Sequence, residues 1–156
     1  MTVAIPAFQV FLDEHREDVY RFLVASVGSQ EADDCFQETF VSALRAYPRL
    51  RARSNLRSWV LTIAHRKAID AHRARAKRPV PVDVVADGAA PTIPEADPEL
   101  WEAVRELPAK QRAAVVLRFA NDLPHGDIAR VLDCSEDAAR RNVHEGIKQL
   151  REGLDR

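Results

Sequence analysis

A proline-rich segment divides the chain into two halves. Residues 79–98 read PVPVDVVADGAAPTIPEADP and contain five of the nine prolines among 156 residues. Each proline removes a backbone hydrogen-bond donor and disfavours helix in the residue before it. The segment also carries acidic side chains but no Lys or Arg. We therefore expect an extended linker between two small domains, residues 1–78 and 99–156.

The first half has the apolar spacing of three helices. Between Phe8 and Leu23, apolar residues recur every three or four positions, which is the period of one buried helical face. A second helix should follow Gly28 with Ser29 as its cap, and a third should begin near Ser54. The apolar face of the second helix should comprise Cys35, Phe36, Phe40, Val41 and Leu44.

The second half predicts four shorter helices and shows no strand pattern, so the expected fold class is all-α. The last two stretches are joined by residues 133–135, which gives the length and short turn of a helix-turn-helix. Ser135 should cap the final helix, because a serine hydroxyl there can accept a hydrogen bond from the first turn. The four stretches are Pro98–Leu107, Ala109–Ala120, Pro124–Leu132 and Ser135–Leu154.

Positive charge is concentrated in residues 51–78, which hold nine basic side chains and one acidic one, although the whole chain has a formal net charge of −1. Such a strip can neutralise phosphate groups, so it favours a nucleic-acid partner whose binding weakens as salt rises. A solvated helix face is the alternative interpretation. The basic residues are Arg51, Arg53, Arg57, Arg66, Lys67, Arg73, Arg75, Lys77 and Arg78.

The chain lacks the marks of several function classes. It has no Gly-rich phosphate loop, no HExxH, no nucleophile elbow and no CxxC motif, so we expect no enzymatic activity. Its histidines are scattered, and Cys35 and Cys134 are far apart, so we expect no metal and no other cofactor. No apolar run approaches the roughly 20 residues of a membrane span, and Met1–Val10 does not resemble a secretory signal. The expected location is the cytoplasm, without membrane insertion.

Three stretches, in chain order, carry a resemblance to a known family. ADDCFQETFVSALRAY (residues 32–47) and LRSWVLTIAHRKAIDAHRAR (residues 56–75) are similar to regions 2.2 to 2.4 of bacterial RNA polymerase sigma factors of the extracytoplasmic-function (ECF) type. Residues 100–151 resemble region 4. The resemblance implies two helical domains, with region 2 in residues 1–78 and region 4 in residues 99–156. It also implies a factor that binds core RNA polymerase, directs it to promoter DNA and assists strand opening.

The resemblance implies a polymerase-docking helix in the first domain. In the family, this helix binds the clamp coiled coil of the largest polymerase subunit. An acidic, amide-bearing face beside a buried stripe suits that contact. The residues that fall on the docking helix are Asp33, Asp34, Gln37, Glu38 and Phe40.

It also implies two sets of promoter contacts. The loop at residues 51–55 would capture a flipped base of the minus-ten element, and the following helix would contact its strands. The helix-turn-helix would read the minus-thirty-five element as duplex. The implied minus-ten residues are Arg51, Arg53, Ser54, Asn55, Arg57, Arg66, Lys67, Asp70 and Arg73. The implied minus-thirty-five residues are Ser135, Arg140, Arg141 and His144.

Two other functions remain open from the sequence. A helix-turn-helix repressor or activator would bind duplex DNA as a symmetric dimer, and it would need neither polymerase nor the basic loop. A helical adaptor would instead present its basic face to an acidic protein. The resemblance also implies that the linker permits a compact inactive state held by an anti-sigma protein.

Overall fold

The computed structural model describes residues 6–51, 55–77 and 97–154, and within these ranges it contains seven α-helices, one short 3-10 turn and no strand. The all-α fold class is therefore confirmed. Most of the predicted linker, residues 79–96, lies outside the described residues. The helices are α1 (Phe8–Val27), α2 (Ser29–Ala46), α3 (Leu56–Ala76), α4 (Pro98–Arg105), α5 (Ala109–Phe119), α6 (His125–Leu132) and α7 (Glu136–Leu154), with the 3-10 turn at Tyr47–Arg49.

The first three helices form the N-lobe (residues 6–77) around the ring of Phe11. This ring is fully buried, and its centroid lies 5.6 Å from that of Trp59 and 5.2 Å from that of Tyr47. Tilted aromatic pairs at such distances add to the stabilisation that apolar burial provides. Helices α1, α2 and α3 pack pairwise around this cluster, so the predicted apolar face of α1 is confirmed.

The start of α2 differs from the prediction. Ser29 is itself the first helical residue, and no side chain caps this end of the helix. The reason is Gly28, whose φ of 87° lies in the left-handed region that glycine adopts readily. The chain therefore turns from α1 into α2 within one residue, and the predicted Ser29 cap is wrong.

The buried face of α2 is also placed differently from the prediction. Val41 and Leu44 are 47% and 54% exposed, so their assignment to the apolar face is wrong. Thr39 and Ala43 are buried instead, and the Thr39 hydroxyl donates a hydrogen bond to the main-chain oxygen of Cys35 at 2.6 Å. Because small side chains form this contact line, α2 packs closely on its neighbours and turns the two larger residues outward.

The second lobe, the C-lobe (residues 97–154), contains the helix-turn-helix. Ser135 Oγ accepts a hydrogen bond from the backbone N–H of Ala138 at 3.0 Å, which confirms the predicted cap of α7. Asp133 ends α6 in the left-handed conformation, with a φ of 53°, and redirects the chain towards α7. Helices α5 and α6 both pack against α7.

The two lobes are in contact through several helices. Helix α3 packs on α6, while α1 packs on α4 and α5. Buried residues from both lobes belong to one continuous apolar cluster. The first helix of the helix-turn-helix therefore rests on the helix that carries the basic strip.

Gly146 marks a close approach between α5 and α7. A Cβ atom added at Gly146 would stand 2.6 Å from Val115 Cγ2 and 3.4 Å from the Gln111 main-chain oxygen. Gly146→Ala should therefore destabilise the protein by about 1–3 kcal/mol, because a β-branched side chain and a backbone atom must shift. Chemical denaturation measures this loss against Gly153→Ala in the same helix, where no heavy atom lies within 4 Å of the added Cβ. A Gly146→Ala variant as stable as wild type would contradict the packing.

Candidate nucleic-acid and polymerase interfaces

The loop before α3 leads directly into the basic helix. The Asn55 side chain accepts a hydrogen bond from the backbone N–H of Ser58 at 3.1 Å and so caps α3. Asn55 and Arg51 are both exposed on either side of the loop. The predicted site residues Arg53 and Ser54 lie outside the described residues. Asn55, which the resemblance predicts to contact the minus-ten element, therefore also fixes the start of α3.

Further along α3, charged side chains face outward. Arg66 and Arg73 are exposed, and Lys67 is half-buried. Among the described residues, neither arginine has an ion-pair partner. Positions 66, 70 and 73 share one face of the helix, and Asp70 supplies the single negative charge there. This face can approach a polyanion without first breaking an ion pair.

Arg57 differs from the rest of the strip because it is engaged within the protein. Its Nε and Nη2 atoms donate to the two carboxylate oxygens of Asp18 on α1 at 2.6 Å and 3.2 Å. The hydrogen bond to Asp18 is the largest of the causes that raise the pKa of Arg57 above its usual value. Nη2 also donates to the main-chain oxygen of Asn121 in the C-lobe. In this conformation, Arg57 therefore joins three segments of the protein.

The predicted docking residues on α2 fall into two groups. Phe40 is only 6% exposed, and its ring centroid lies 4.8 Å from that of Phe36, so it supports the helix from the core. The hydroxyl of Tyr20 donates to the Asp33 carboxylate at 2.9 Å, which holds this side chain against α1. The exposed members of the set are Asp33, Asp34, Gln37 and Glu38.

Sequence reasoning missed two apolar members of this outer face, Val41 and Leu44. They follow Gln37 at helical spacings of four and seven, so all three lie on one side of α2. The spacing alone could have indicated this, but an apolar residue in an amphipathic helix is ordinarily assigned to the core. The outer face of α2 therefore combines acidic, amide and apolar side chains.

At the start of α7, one of the two predicted DNA-contacting arginines is held in ion pairs within its own helix. Arg140 pairs with Glu136 at 3.2 Å and with Asp137 at 3.5 Å, both on its own helix. Arg141 and His144 are exposed, and within the described ranges neither takes part in an ion pair. Ser135 uses its hydroxyl as the helix cap. Arg141 is therefore the arginine more readily available to a ligand.

The described ranges contain no group of three or more His, Cys, Asp or Glu residues that could hold a metal ion. No helix in these ranges has the length and apolar character needed to cross a membrane.

Burial raises the pKa of the Cys35 thiol to about 11, so the thiol stays protonated and weakly reactive at neutral pH.

Comparison with known proteins identifies both lobes. Residues 11–78 match the family model of Sigma-70 region 2, and residues 98–150 match that of Sigma-70 region 4. The ECF RNA polymerase sigma factor SigC of Mycobacterium tuberculosis is 33% identical over 145 residues, which cover 88% of this chain and 77% of that protein. The chain is an ECF sigma factor. This sigma factor is also 28% identical to SigX of Bacillus subtilis over 168 residues, covering 95% of the chain and 84% of that protein.

A solved structure has the same fold as this sigma factor. It is RpoE of Bartonella quintana in complex with the anti-sigma factor NepR, with a TM-score of 0.74 and 24% identity over 94% of this chain and 98% of that one. Sigma factors are DNA-binding regulators that direct RNA polymerase to promoters, so core polymerase and promoter DNA are the partners of this chain. The dimeric regulator and the adaptor are therefore not supported.

A cavity of about 330 Å³ lies between the two lobes of the sigma factor. Burial lowers the pKa of His72 below its usual value, and the neighbouring Arg112 adds to this effect. His72 Nε2 lies 2.8 Å from the main-chain oxygen of Ser26, to which it donates a hydrogen bond. The lining residues are His65, Ile69, His72, Arg73, Ala109, Lys110, Arg112 and Leu132.

His65 makes the stability of the sigma factor depend on pH. Burial, followed by the charges of Arg112 and Arg66, lowers its pKa from 6.5 to about 4. The unfolded chain therefore takes up a proton that the folded protein resists, so the free energy of unfolding falls as pH drops from 6.5 towards 4. His65→Gln should reduce this loss, measured as the difference in unfolding free energy between about pH 7 and about pH 5.

The matched control is His144→Gln, which changes an exposed histidine of α7. If His65→Gln and the control changed the pH dependence equally, burial of His65 would not be the cause.

Proposed function

We propose that this sigma factor docks on core polymerase through α2, engages the minus-ten element through α3 and reads the minus-thirty-five element through α7. The supporting observation is that sigma regions 2 and 4 occur in one chain together with an outward basic face on α3. The factor acts in the cytoplasm, where polymerase and promoter are found, and its contribution is binding rather than catalysis.

The polymerase-docking surface is the outer face of α2. An interface usually has an apolar centre and a polar rim, and exposed apolar residues next to acidic ones provide both. The acidic side chains favour a basic partner surface and assist its approach. Phe40 positions the helix from inside the N-lobe. The docking surface comprises Asp33, Asp34, Gln37, Glu38, Val41 and Leu44.

Pull-down with core polymerase, followed by transcription from a cognate promoter in vitro, tests the proposed function. The wild-type protein should bind core enzyme and make transcription depend on its presence. Val41→Asp should weaken core binding by about tenfold or more, because it places a charge at the apolar centre of the docking surface.

Val10→Asp is the matched control for this experiment, because Val10 on α1 is also 47% exposed. Equal losses for the two variants would show that Val41 is not a docking residue. Failure of the wild-type protein to bind core polymerase would remove the whole proposal.

Strand opening follows from differential binding at α3. Extracting a base from the stack costs a few kcal/mol, which contacts to the single strand must offset. The exposed arginines of α3 gain these contacts only after the strands separate, so binding shifts the promoter towards its open form.

Removing the outward arginines should therefore weaken opening without affecting docking. Arg66→Ala combined with Arg73→Ala should reduce open-complex formation, measured by permanganate reactivity of unpaired thymines, and should leave core binding unchanged. The salt dependence of promoter binding should also become shallower, by a slope of about 0.7 to 0.9 per lost phosphate contact.

The control is Arg16→Ala combined with Arg21→Ala, which removes the same charge from exposed positions of α1. If the α3 variant lost core binding as well, the strip would belong to the polymerase interface.

The start of α7 meets the upstream duplex. Arg141 is the primary contact to a base edge or phosphate, because Arg140 must first leave its pairs with Glu136 and Asp137. His144 lies one turn further along the same helix. The two carboxylates at the helix start oppose the approach of phosphate, so duplex binding by this lobe alone should be weak.

We also propose regulation by an anti-sigma factor. The structure of RpoE with the same fold contains such a partner, NepR. The cavity between the lobes is lined by residues of both regions, so one partner could contact both lobes there.

A further inference from the structure

The cavity between the lobes has a positively charged lining. Its volume is about 330 Å³, and helices of both lobes border it. Arg73 of α3 lines it from the N-lobe, and Lys110 and Arg112 of α5 line it from the C-lobe. The lining residues that the structure describes include no carboxylate. Three cationic side chains therefore share one small space without a negatively charged side chain among them.

Arg112 is held in place as a cation without an anionic partner. Its Nη1 atom donates hydrogen bonds to the main-chain oxygens of Arg105 and Leu107, both at 3.1 Å. These contacts position the guanidinium but supply no negative charge, and no carboxylate of the described residues forms a salt bridge with it. Burial lowers the pKa of Arg112 below its usual value, because a charge removed from water is less stable. An anion beside this group would offset that cost.

The two histidines of the cavity experience the same positive charge. Burial is the main cause that lowers the pKa of His65 and of His72, and the charge of Arg112 is the second cause for both. The electrostatic potential in the cavity is therefore positive. A concave site with this potential attracts negatively charged ligands.

The charge, size and remaining lining of the cavity indicate the class of ligand. A phosphate group carries about −1.5 to −2 at pH 7, so three cations match a diphosphate better than a single phosphate group. Guanidinium and ammonium groups both form strong, charge-assisted hydrogen bonds with phosphate oxygens. Small-molecule pockets span about 300 to 1,000 Å³, so the volume of this cavity suits a small ligand. Ile69 and Leu132 add apolar contact surface beside the cations, which suits the nucleoside part of a nucleotide.

We propose that this cavity binds the diphosphate group of a small metabolite, either free pyrophosphate or a nucleoside diphosphate. Arg73 and Lys110 contact the phosphate oxygens from opposite lobes, and Arg112 is positioned beforehand by its main-chain contacts. Such positioning reduces the entropy lost on binding. A bound diphosphate would also occupy Arg73, which is one of the residues proposed to contact the minus-ten element. This consequence rests on the proposed function, whereas the binding site does not.

Isothermal titration calorimetry of the free, full-length protein with sodium pyrophosphate tests the site. The titration is run at about 0.15 M salt, which screens weak surface attraction, and without divalent cations, which would bind the pyrophosphate themselves. Wild type should bind one equivalent with a Kd below about 1 mM. Lys110→Ala should weaken this binding about tenfold, because it removes a charge-assisted hydrogen bond. Lys148→Ala is the matched control, since Lys148 is also an exposed lysine of the C-lobe but does not line the cavity.

Arg73→Ala tests the contribution of the N-lobe, with Arg66→Ala as its control on the same helix. Both arginines are exposed, and of the two only Arg73 lines the cavity. Arg73→Ala should weaken pyrophosphate binding about tenfold, and Arg66→Ala should leave it unchanged. Circular dichroism checks that the variants keep the helical content of wild type.

Titration with adenosine diphosphate distinguishes the two sources of the diphosphate group. Tighter binding than that of pyrophosphate would identify a nucleoside diphosphate, and equal or weaker binding would identify free pyrophosphate. The proposal is overturned if wild type binds neither ligand, if sulfate at the same ionic strength binds equally well, or if the test and control variants lose affinity equally. Failure of the wild-type protein to bind core polymerase would instead remove the proposed function and leave the calorimetric result intact.

Discussion

Helix α3 is the element on which the rest of the structure depends, because both lobes and the proposed DNA contacts share it. Its inner face completes the aromatic core around Phe11, and its first turn holds Arg57 against Asp18. Its outer face carries Arg66 and Arg73, which have no ion-pair partner among the described residues, and another side supports α6 of the C-lobe. Both arginines stay exposed while the C-lobe packs on α3, so the contacts of this helix with the C-lobe and those proposed with DNA differ.

The lobe boundary contains interactions that favour contact between the lobes and interactions that oppose it. Apolar burial favours contact between the lobes, as do the hydrogen bonds that the side-chain amide of Asn121 donates to Asp18. The positive charges of Arg73, Lys110 and Arg112, which line the cavity, oppose this contact. Such a balance makes the equilibrium sensitive to a partner, since a ligand shifts it only by its difference in affinity for the two states. Polymerase and DNA would shift the equilibrium towards separated lobes. An anti-sigma factor that bridges the lobes would shift it towards lobes in contact. Control of this sigma factor then needs no change within either lobe.

The sequence predicted the parts of the structure that follow from local rules. Helical spacing identified the helices. The Ser135 cap was predicted because a hydroxyl at the start of a helix can accept a hydrogen bond from a backbone N–H of the first turn. The outward position of Val41 was not predictable in this way, because it depends on how closely small residues let α2 approach its neighbours. Asn121 gave no sequence signal either, since its partners lie 103 residues away in the other lobe. Contacts between lobes are set by tertiary packing, and a single sequence does not disclose them.

The most direct test of this account is the distance between the lobes with and without the transcription machinery. Fluorescent labels at the exposed positions Gln9 and Gln149, with the two native cysteines replaced, would report it by single-molecule energy transfer. The account predicts high transfer in the free protein and low transfer once core polymerase and promoter are bound, because elements at minus ten and minus thirty-five lie about 25 base pairs, or about 85 Å of duplex, apart. Equal transfer in the two states would contradict it.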